Sequence, residues 1–319
     1  AEDWRGLADS MERLLSCERD AERWWTCAEQ LAALYEERLD DRDAALRTWR
    51  RLRDRDATET TIYEAIERLL FEDARWRELD ELLSSWQEVS GQPRWVSLQF
   101  QRAQLYQDPE RLSEPETALE LLIALLERDD THEETASALA ALQVSSPSTL
   151  ASEVFPHLRT LLRKREDWEG LWSAFQCATA AEPSESSLSF EDHVARAELA
   201  RDNLLDPLRE FDALCDAICE RPDDATCLDR LTTLATLDPL ASQLSALLLT
   251  LGDDDANGSH RYDLLHRSAT VLTAVGQSQR AIEIYTRLCD DHPDDHSTLT
   301  QLAEAYRGVG DWEALSSIL

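Results

Sequence analysis

The feature that most constrains this fold is a repeat with a period of 34 residues near the C-terminal end of the chain. Four residue pairs are separated by this distance: Leu265 and Leu299, Ala269 and Ala303, Leu272 and Tyr306, Gly276 and Gly310. A large residue, a small residue and a helix-ending glycine therefore recur in the same order. Self-similarity at such a period is typical of helical arrays. Because an array presents a long repeated surface instead of one central core, we expect that surface to bind other proteins.

A second periodic feature is the dipeptide Asp-Trp or a relative of it, with a leucine three residues after the tryptophan. This Asp-Trp motif occurs at Asp3-Trp4, Arg75-Trp76, Asp167-Trp168 and Asp311-Trp312. The first two tryptophans are 72 residues apart, and the last two are separated by twice that distance. Degenerate copies that lack tryptophan lie at Ser148 and Leu240. The two series are offset by 20 residues, which predicts an inserted helical piece of about that length around residues 148–167.

The pattern of apolar residues predicts helices throughout. Ala281, Ile284, Tyr285 and Leu288 form the one-sided apolar stripe of an amphipathic helix. Sustained alternation of apolar and polar residues is missing, so we predict an all-α fold without strands. We expect three regions: degenerate repeats over 1–147, an irregular helical junction over 148–190, and repeats over 191–319 that are clearest at 262–319.

The segment 262–319 resembles the tetratricopeptide repeat (TPR) family. The matching residues are Leu265, Ala269, Leu272, Gly276, Ala281, Tyr285, Pro293, Leu299, Leu302, Ala303, Tyr306 and Gly310. Weaker copies begin near Trp25, Val96 and Phe190. The resemblance implies antiparallel helix pairs stacked into a right-handed superhelical solenoid, whose inner face holds a peptide or a protein surface.

The same resemblance implies which side chains face the ligand groove in the two best-matched repeats. They lie on the first helix of each repeat and are Asp263, His266, Thr270, Thr273, Ser297, Thr300, Glu304 and Arg307.

The chain is strongly acidic, with a formal net charge of −33. The excess of acidic residues is spread evenly along the chain, and such a surface repels nucleic acid. Lys164 is the sole lysine among the 32 basic residues. Two interpretations remain open: the charge keeps the surface solvated in a GC-rich or salt-adapted source, or it attracts basic partners to a groove.

Metal and cofactor sites are not predicted. Asp253, Asp255, Asn257 and Gly258 are ordered as in a calcium loop, but the position of the closing carboxylate is Leu264. Cys289, His292 and His296 have spacings suited to zinc, yet a polar turn around Pro293 explains them. The seven cysteines include no C-x-x-C pair, which favours buried free thiols in a reducing compartment over a disulfide framework.

Enzyme signatures are also missing: the chain has no P-loop, no G-x-G-x-x-G and no G-x-S-x-G. It has no run of ~18 apolar residues and no leading signal peptide, so we predict a cytoplasmic protein without a membrane span. We therefore expect a non-enzymatic scaffold for protein partners.

Two alternatives to the scaffold remain open. One is a helper domain of a longer multidomain protein. The other is a building block that assembles head to tail, since Asp3–Leu7 and Asp311–Leu315 place both ends of the chain in nearly the same phase of the repeat.

Overall fold

The computed structural model describes residues 3–179, 188–236, 238–254 and 260–318. Over these ranges the chain forms α-helices, two short π-helical turns at Tyr35–Leu39 and Ala200–Leu204, and no strand. The predicted all-α class is therefore confirmed. The described helices include none that is long and apolar enough to cross a membrane.

The chain divides into two compact units. The first, Ala1–Leu161, contains α1 to α8 and most of α9. Their bounds are α1 (Trp4–Cys17), α2 (Ala21–Leu34), α3 (Arg42–Arg53), α4 (Thr60–Glu72), α5 (Trp76–Val89), α6 (Gln92–Gln107), α7 (Pro115–Arg128), α8 (Glu134–Ser145) and α9 (Ser148–Lys164). Helix α9 lies where the sequence predicts an inserted helical piece. From α1 to α8, successive helices contact each other and are joined by short links that reverse the chain, so they form antiparallel pairs.

The second unit, Leu162–Leu319, is built in the same way. Its helices are α10 (Trp168–Thr179), α11 (Phe190–Leu199), α12 (Pro207–Glu220), α13 (Ala225–Leu234), α14 (Asp238–Asp253), α15 (Arg261–Ala274), α16 (Ser278–Asp291), α17 (His296–Val309) and α18 (Trp312–Ile318). Each helix from α14 to α17 packs on its successor in the sequence. We call α11, α13, α15 and α17 first helices, and α12, α14, α16 and α18 second helices.

A left-handed residue ends the first helix of several pairs. Gly276 and Gly310 have φ of 85° and 80°, which a glycine adopts without steric cost. The same conformation recurs at residues that are not glycine: Asp40, Ala74, Ser113, Glu166 and Leu205. Asp40 and Ala74 are 34 residues apart, as are the two glycines. The turn is thus a repeated structural element even where glycine is lost.

The Asp-Trp motif marks the start of a helix. Asp3, Asp167 and Asp311 accept hydrogen bonds from backbone amides three residues later, at 2.9, 2.9 and 3.1 Å. This is the usual N-cap interaction, and the tryptophan is the first helical residue.

Small and large apolar residues alternate in the cores of the two units. In the second unit Leu265, Ala269, Leu272 and Tyr285 are each 0% exposed. Ala269 and Ala303 are buried at equivalent positions, where a small side chain lets neighbouring helices approach closely. Four of the eight residues that define the 34-residue period, Leu265, Ala269, Leu272 and Ala303, are therefore core residues.

Ion pairs between arginine and a carboxylate link helices about one repeat apart. They are Arg42–Asp73, Arg50–Glu78, Arg51–Glu12, Arg68–Glu36, Arg75–Asp43, Arg77–Glu114 and Arg94–Glu64 in the first unit, and Arg209–Glu169, Arg221–Glu191, Arg267–Asp229 and Arg287–Asp253 in the second. Most are solvent-exposed, so each contributes only about 0–1 kcal/mol to stability. They occupy many of the arginines and leave the excess of carboxylates uncompensated.

A buried polar network lies between α5 and α6 in the first unit. Asp80 accepts hydrogen bonds from Arg102 Nε at 2.6 Å and from the Tyr106 hydroxyl at 2.8 Å. Arg102 also donates to Gln87, which in turn donates to Gln99 at 2.8 Å. Gln87 and Gln99 are 7% and 3% exposed. Nearly every polar group in this network has a partner, as burial requires.

Candidate functional site

The predicted groove residues of the first best-matched repeat lie on α15. Asp263 and Thr270 are exposed, and His266 and Thr273 are half-buried. The two threonine hydroxyls each donate to a carbonyl four residues earlier, Thr270 to His266 and Thr273 to Ala269, both at 2.8 Å. Their hydroxyl protons are therefore engaged within the helix.

The equivalent residues of the next repeat lie on α17. Ser297, Thr300, Glu304 and Arg307 are all exposed. The Thr300 hydroxyl donates to the carbonyl of His296 at 2.7 Å. The eight predicted side chains thus lie on two first helices separated in the sequence by α16, and a ligand-binding role for them remains a prediction.

A cluster of aromatic and histidine rings surrounds His266. Its ring lies 5.8 Å from that of Tyr262 and 5.9 Å from that of Tyr285, measured between centroids. The Nε2 atom of His266 is buried and has no hydrogen-bond partner. Tyr262 also meets His292 edge to face at 5.4 Å. Sequence reasoning selected His266 but missed Tyr262, because the groove positions implied by the resemblance do not include it.

Asp295 joins this cluster to the start of α17. Its carboxylate accepts hydrogen bonds from the Tyr262 and Thr298 hydroxyls and from the Ser297 and Thr298 backbone amides. Hydrogen bonds from Thr298 and then Tyr262 lower the pKa of Asp295. The carboxylate thus caps the helix that carries the second set of predicted groove residues.

The candidate metal residues do not converge among the described residues, where groups of three or more potential protein ligands are absent. Cys289 is partly buried against the core cluster of α15–α17, and His292 and His296 are exposed. Asp253 pairs with Arg287 at 2.6 Å. The other members of the calcium-like pattern, Asp255, Asn257 and Gly258, lie outside the described residues.

A groove of about 450 Å³ lies between the first helices α11 and α13, with α12 at its floor. Its lining residues are Val194, Ala197, Glu198 and Arg201 from α11 and the turn after it, Glu210 and Leu214 from α12, and Ala225, Thr226, Cys227, Asp229, Arg230 and Thr233 from α13. We call it the α11–α13 groove. Sequence reasoning did not select these residues, because this repeat lacks the glycine and tyrosine that marked the later ones.

The groove-lining residues on α11 and the predicted residues on α15 lie at the same positions relative to the buried residues of their helices. Val194, Glu198 and Arg201 each come directly after a buried residue: His193, Ala197 and Ala200. On α15 the predicted residues His266, Thr270 and Thr273 directly follow Leu265, Ala269 and Leu272, which are also buried. Both sets have spacings of four and three residues, so each forms a stripe beside the buried face of its helix.

An ion pair between the buried Glu210 and the partly exposed Arg230 anchors the floor of the groove. Glu210 is 3% exposed, and its carboxylate accepts from Arg230 Nε at 2.6 Å and Nη2 at 3.2 Å. This two-point contact fixes the guanidinium in one orientation. The hydrogen bond from Arg230 compensates the cost of burying the Glu210 carboxylate.

No protein-family model matches this chain, and no curated protein matches it. Among solved structures, it is similar to Naa15/Naa10 bound to HypK-THB at 13% identity and a TM-score of 0.36, over 99% of this chain and 50% of that one. It is also similar to the P58(IPK) TPR domain at 13% identity and a TM-score of 0.27, over 92% of both chains. The chain thus spans about half the length of the first. Its assignment as a helical repeat rests on its own helices and their packing.

Proposed function

We propose that this chain is a non-enzymatic protein-interaction scaffold that holds a peptide or protein segment along the first helices of its TPR-like repeats. The observation that supports the proposal is the α11–α13 groove. It opens between two first helices. Its lining residues Val194, Glu198 and Arg201 on α11 and the turn after it each come directly after a buried residue, as the predicted residues His266, Thr270 and Thr273 do on α15. A partner segment lying along this face would contact Glu198, His266, Thr270 and Thr300.

Site-specific photocross-linking tests this proposal. A photoreactive residue is placed at Thr226 or Thr300 on first helices, and at Asp212 or Glu283 on second helices as matched exposed controls. With extract from the native source, we expect the first-helix positions to cross-link to a common partner and the controls to give at most a tenth of that yield. Equal yields from both kinds of helix would contradict the proposal.

A second candidate function is self-assembly, and the exposure of α1 favours it. Leu7 and Leu14 are 45% and 50% exposed, whereas Leu79 and Leu171, which follow later tryptophans at the same spacing, are 2% and 1% exposed. In the other unit Trp312 is 63% exposed. Exposed apolar side chains on one helix face mark a surface that another helix can cover.

Sedimentation over a wide concentration range tests self-assembly. If α1 is the contact, the native chain forms oligomers that grow with concentration, and the double variant Leu7→Glu, Leu14→Glu remains monomeric. Val144→Glu serves as the control, because Val144 is 70% exposed on α8. A native chain that stays monomeric throughout would rule out this candidate.

A further inference from the structure

Beside the Glu210–Arg230 ion pair, the floor of the α11–α13 groove consists of small and apolar side chains. Ala197, Leu214 and Cys227 are 4%, 5% and 4% exposed, so each contributes surface at the bottom of the groove and little elsewhere. Thr226 and Thr233 stand exposed on the α13 side. A floor of this kind accommodates one apolar side chain of modest size, because polar groups placed there would lose their contacts with water.

Most charged groups at the rim of the groove are already neutralised. Arg230 is held by Glu210. Arg201 donates to Asp202 at 2.7 and 2.9 Å. Asp229 accepts from Arg267 at 2.5 Å. These three ion pairs leave no unpaired cation among the lining residues that the structure describes.

Glu198 is the exception among the charged lining residues. Its carboxylate is exposed and forms neither a hydrogen bond nor an ion pair with any residue in the described part of the chain. The hydrogen bonds that Arg201 donates to Asp202 are the chief cause that raises the pKa of Arg201, and the charges of Asp202, Glu210 and Glu198 add to that shift. Glu198 therefore projects negative charge into a groove whose other charges cancel.

From this arrangement we infer that the α11–α13 groove selects a partner segment with a lysine or arginine beside a small apolar residue. The basic side chain pairs with Glu198, and the apolar one lies over Ala197 and Cys227. An acidic segment is disfavoured, because its carboxylate would face Glu198 without a free cation nearby. This inference rests on the proposed function, since it takes the first helices to be the binding face.

Pools of acetylated, amidated hexapeptides test the inference on the full chain. One position is fixed as lysine, arginine, norleucine or glutamate, and the others are drawn from small uncharged residues. We expect affinity selection to enrich the lysine and arginine pools over the norleucine pool, and to deplete the glutamate pool. Equal recovery of the lysine and norleucine pools would overturn the inference.

Two variants distinguish recognition of the peptide by Glu198 from nonspecific electrostatic attraction between a basic peptide and an acidic protein. Glu198→Gln removes the proposed contact, while Glu283→Gln removes the same charge from an exposed site on α16. In fluorescence anisotropy with a selected lysine peptide, we expect Glu198→Gln to weaken binding by roughly fivefold, the upper range for an exposed ion pair. Glu283→Gln should leave binding nearly unchanged. Equal losses in both variants would mean that bulk charge attracts the peptide and that the groove does not select it.

A third variant tests the position of the peptide. Ala225 is exposed at the groove wall, so Ala225→Trp fills the space without disturbing the core. We expect it to abolish binding of the lysine peptide while circular dichroism remains helical. Unchanged binding would place the peptide elsewhere and overturn the inference. If cross-links still map to the first helices, the proposed function stands even where this inference fails.

Discussion

Cys215 and Cys227 should react with iodoacetamide at pH 8 at least about a hundredfold more slowly than Cys17 and Cys177. The thiolate is the reactive form, so the rate follows the fraction of each thiol that is ionised. Cys17 and Cys177 are exposed, whereas Cys227 is buried and Cys215 is partly buried. The difference is large because burial limits both access and ionisation.

The pKa of each slow thiol is raised to about 12. For Cys215 the largest cause is burial, followed by the negative charges of Asp212 and Asp216. For Cys227 it is burial again, followed by the hydrogen bond and charge of Asp224. Against an ordinary thiol pKa of about 8.5, such a shift lowers the thiolate fraction by about three orders of magnitude at pH 8.

Quantitative mass spectrometry of alkylated peptides measures all seven rates in one sample. Denatured protein is the control, because all seven thiols should then react within a few-fold of one another. A native rate for Cys227 within tenfold of the Cys17 rate would contradict the packing around α13. The sequence predicts buried thiols, and that is correct for Cys27 and Cys227 but wrong for Cys17, Cys177 and Cys219, which are exposed.

The helical class and the phase of the repeats could be predicted because they depend on local chemistry. Apolar stripes specify the buried face, and an aspartate before tryptophan specifies a helix start. The left-handed turns were predicted only at Gly276 and Gly310. At Ala74 or Leu205 the residue carries no such signal, and the packing of the two helices holds the backbone there at φ of 54° or 53°. Tertiary contacts thus hold these residues in the left-handed conformation, which a glycine would adopt without steric cost.

The groove illustrates a different limit of sequence reasoning. Its walls are α11 and α13, whose lining residues include a valine, two alanines, a cysteine and two threonines with no motif in common. What makes Glu198 distinctive is that Arg201, Arg230 and Arg267 are engaged by other carboxylates. Arg201 pairs with its neighbour Asp202, but Arg230 and Arg267 pair with carboxylates on other helices, at Glu210 and Asp229. The linear sequence does not show these two pairings between helices, and they decide which charges remain.

Replacing Asp80 by alanine should cost about 2–4 kcal/mol of unfolding free energy, because it leaves a largely buried guanidinium without its counter-charge. The side chains of Asp80 and Arg102 are only 14% and 17% exposed. The Tyr106 hydroxyl loses its acceptor in the same variant. Chemical denaturation followed by circular dichroism measures the loss.

The matched control is an exposed pair in the same unit. Arg77 and Glu114 are 3.5 Å apart with side chains that are 84% and 45% exposed. We expect Glu114→Ala to change the unfolding free energy by less than about 0.5 kcal/mol. Similar losses in Asp80→Ala and Glu114→Ala would contradict the burial of the network.

A double-mutant cycle separates the ion pair from simple truncation. Asp80→Ala with Arg102→Met removes both charges, so the double variant should be less destabilised than the two single losses added together, by about 1–3 kcal/mol. Tyr106 supplies an independent readout. Burial, followed by the hydrogen bond and charge of Asp80, raises its pKa to about 12.

Because the raised pKa favours neutral Tyr106 in the folded state, its contribution to stability is complete below pH ~10 and is lost as the pH rises through about 12. In Asp80→Ala the phenol loses both its acceptor and the nearby negative charge, so it should ionise at a lower pH. Ultraviolet titration, with Tyr106→Phe to identify the signal, measures this shift. If the phenol ionises at the same pH with and without Asp80, burial alone sets its pKa. The stability lost in Asp80→Ala would then arise at Arg102 rather than at the hydroxyl.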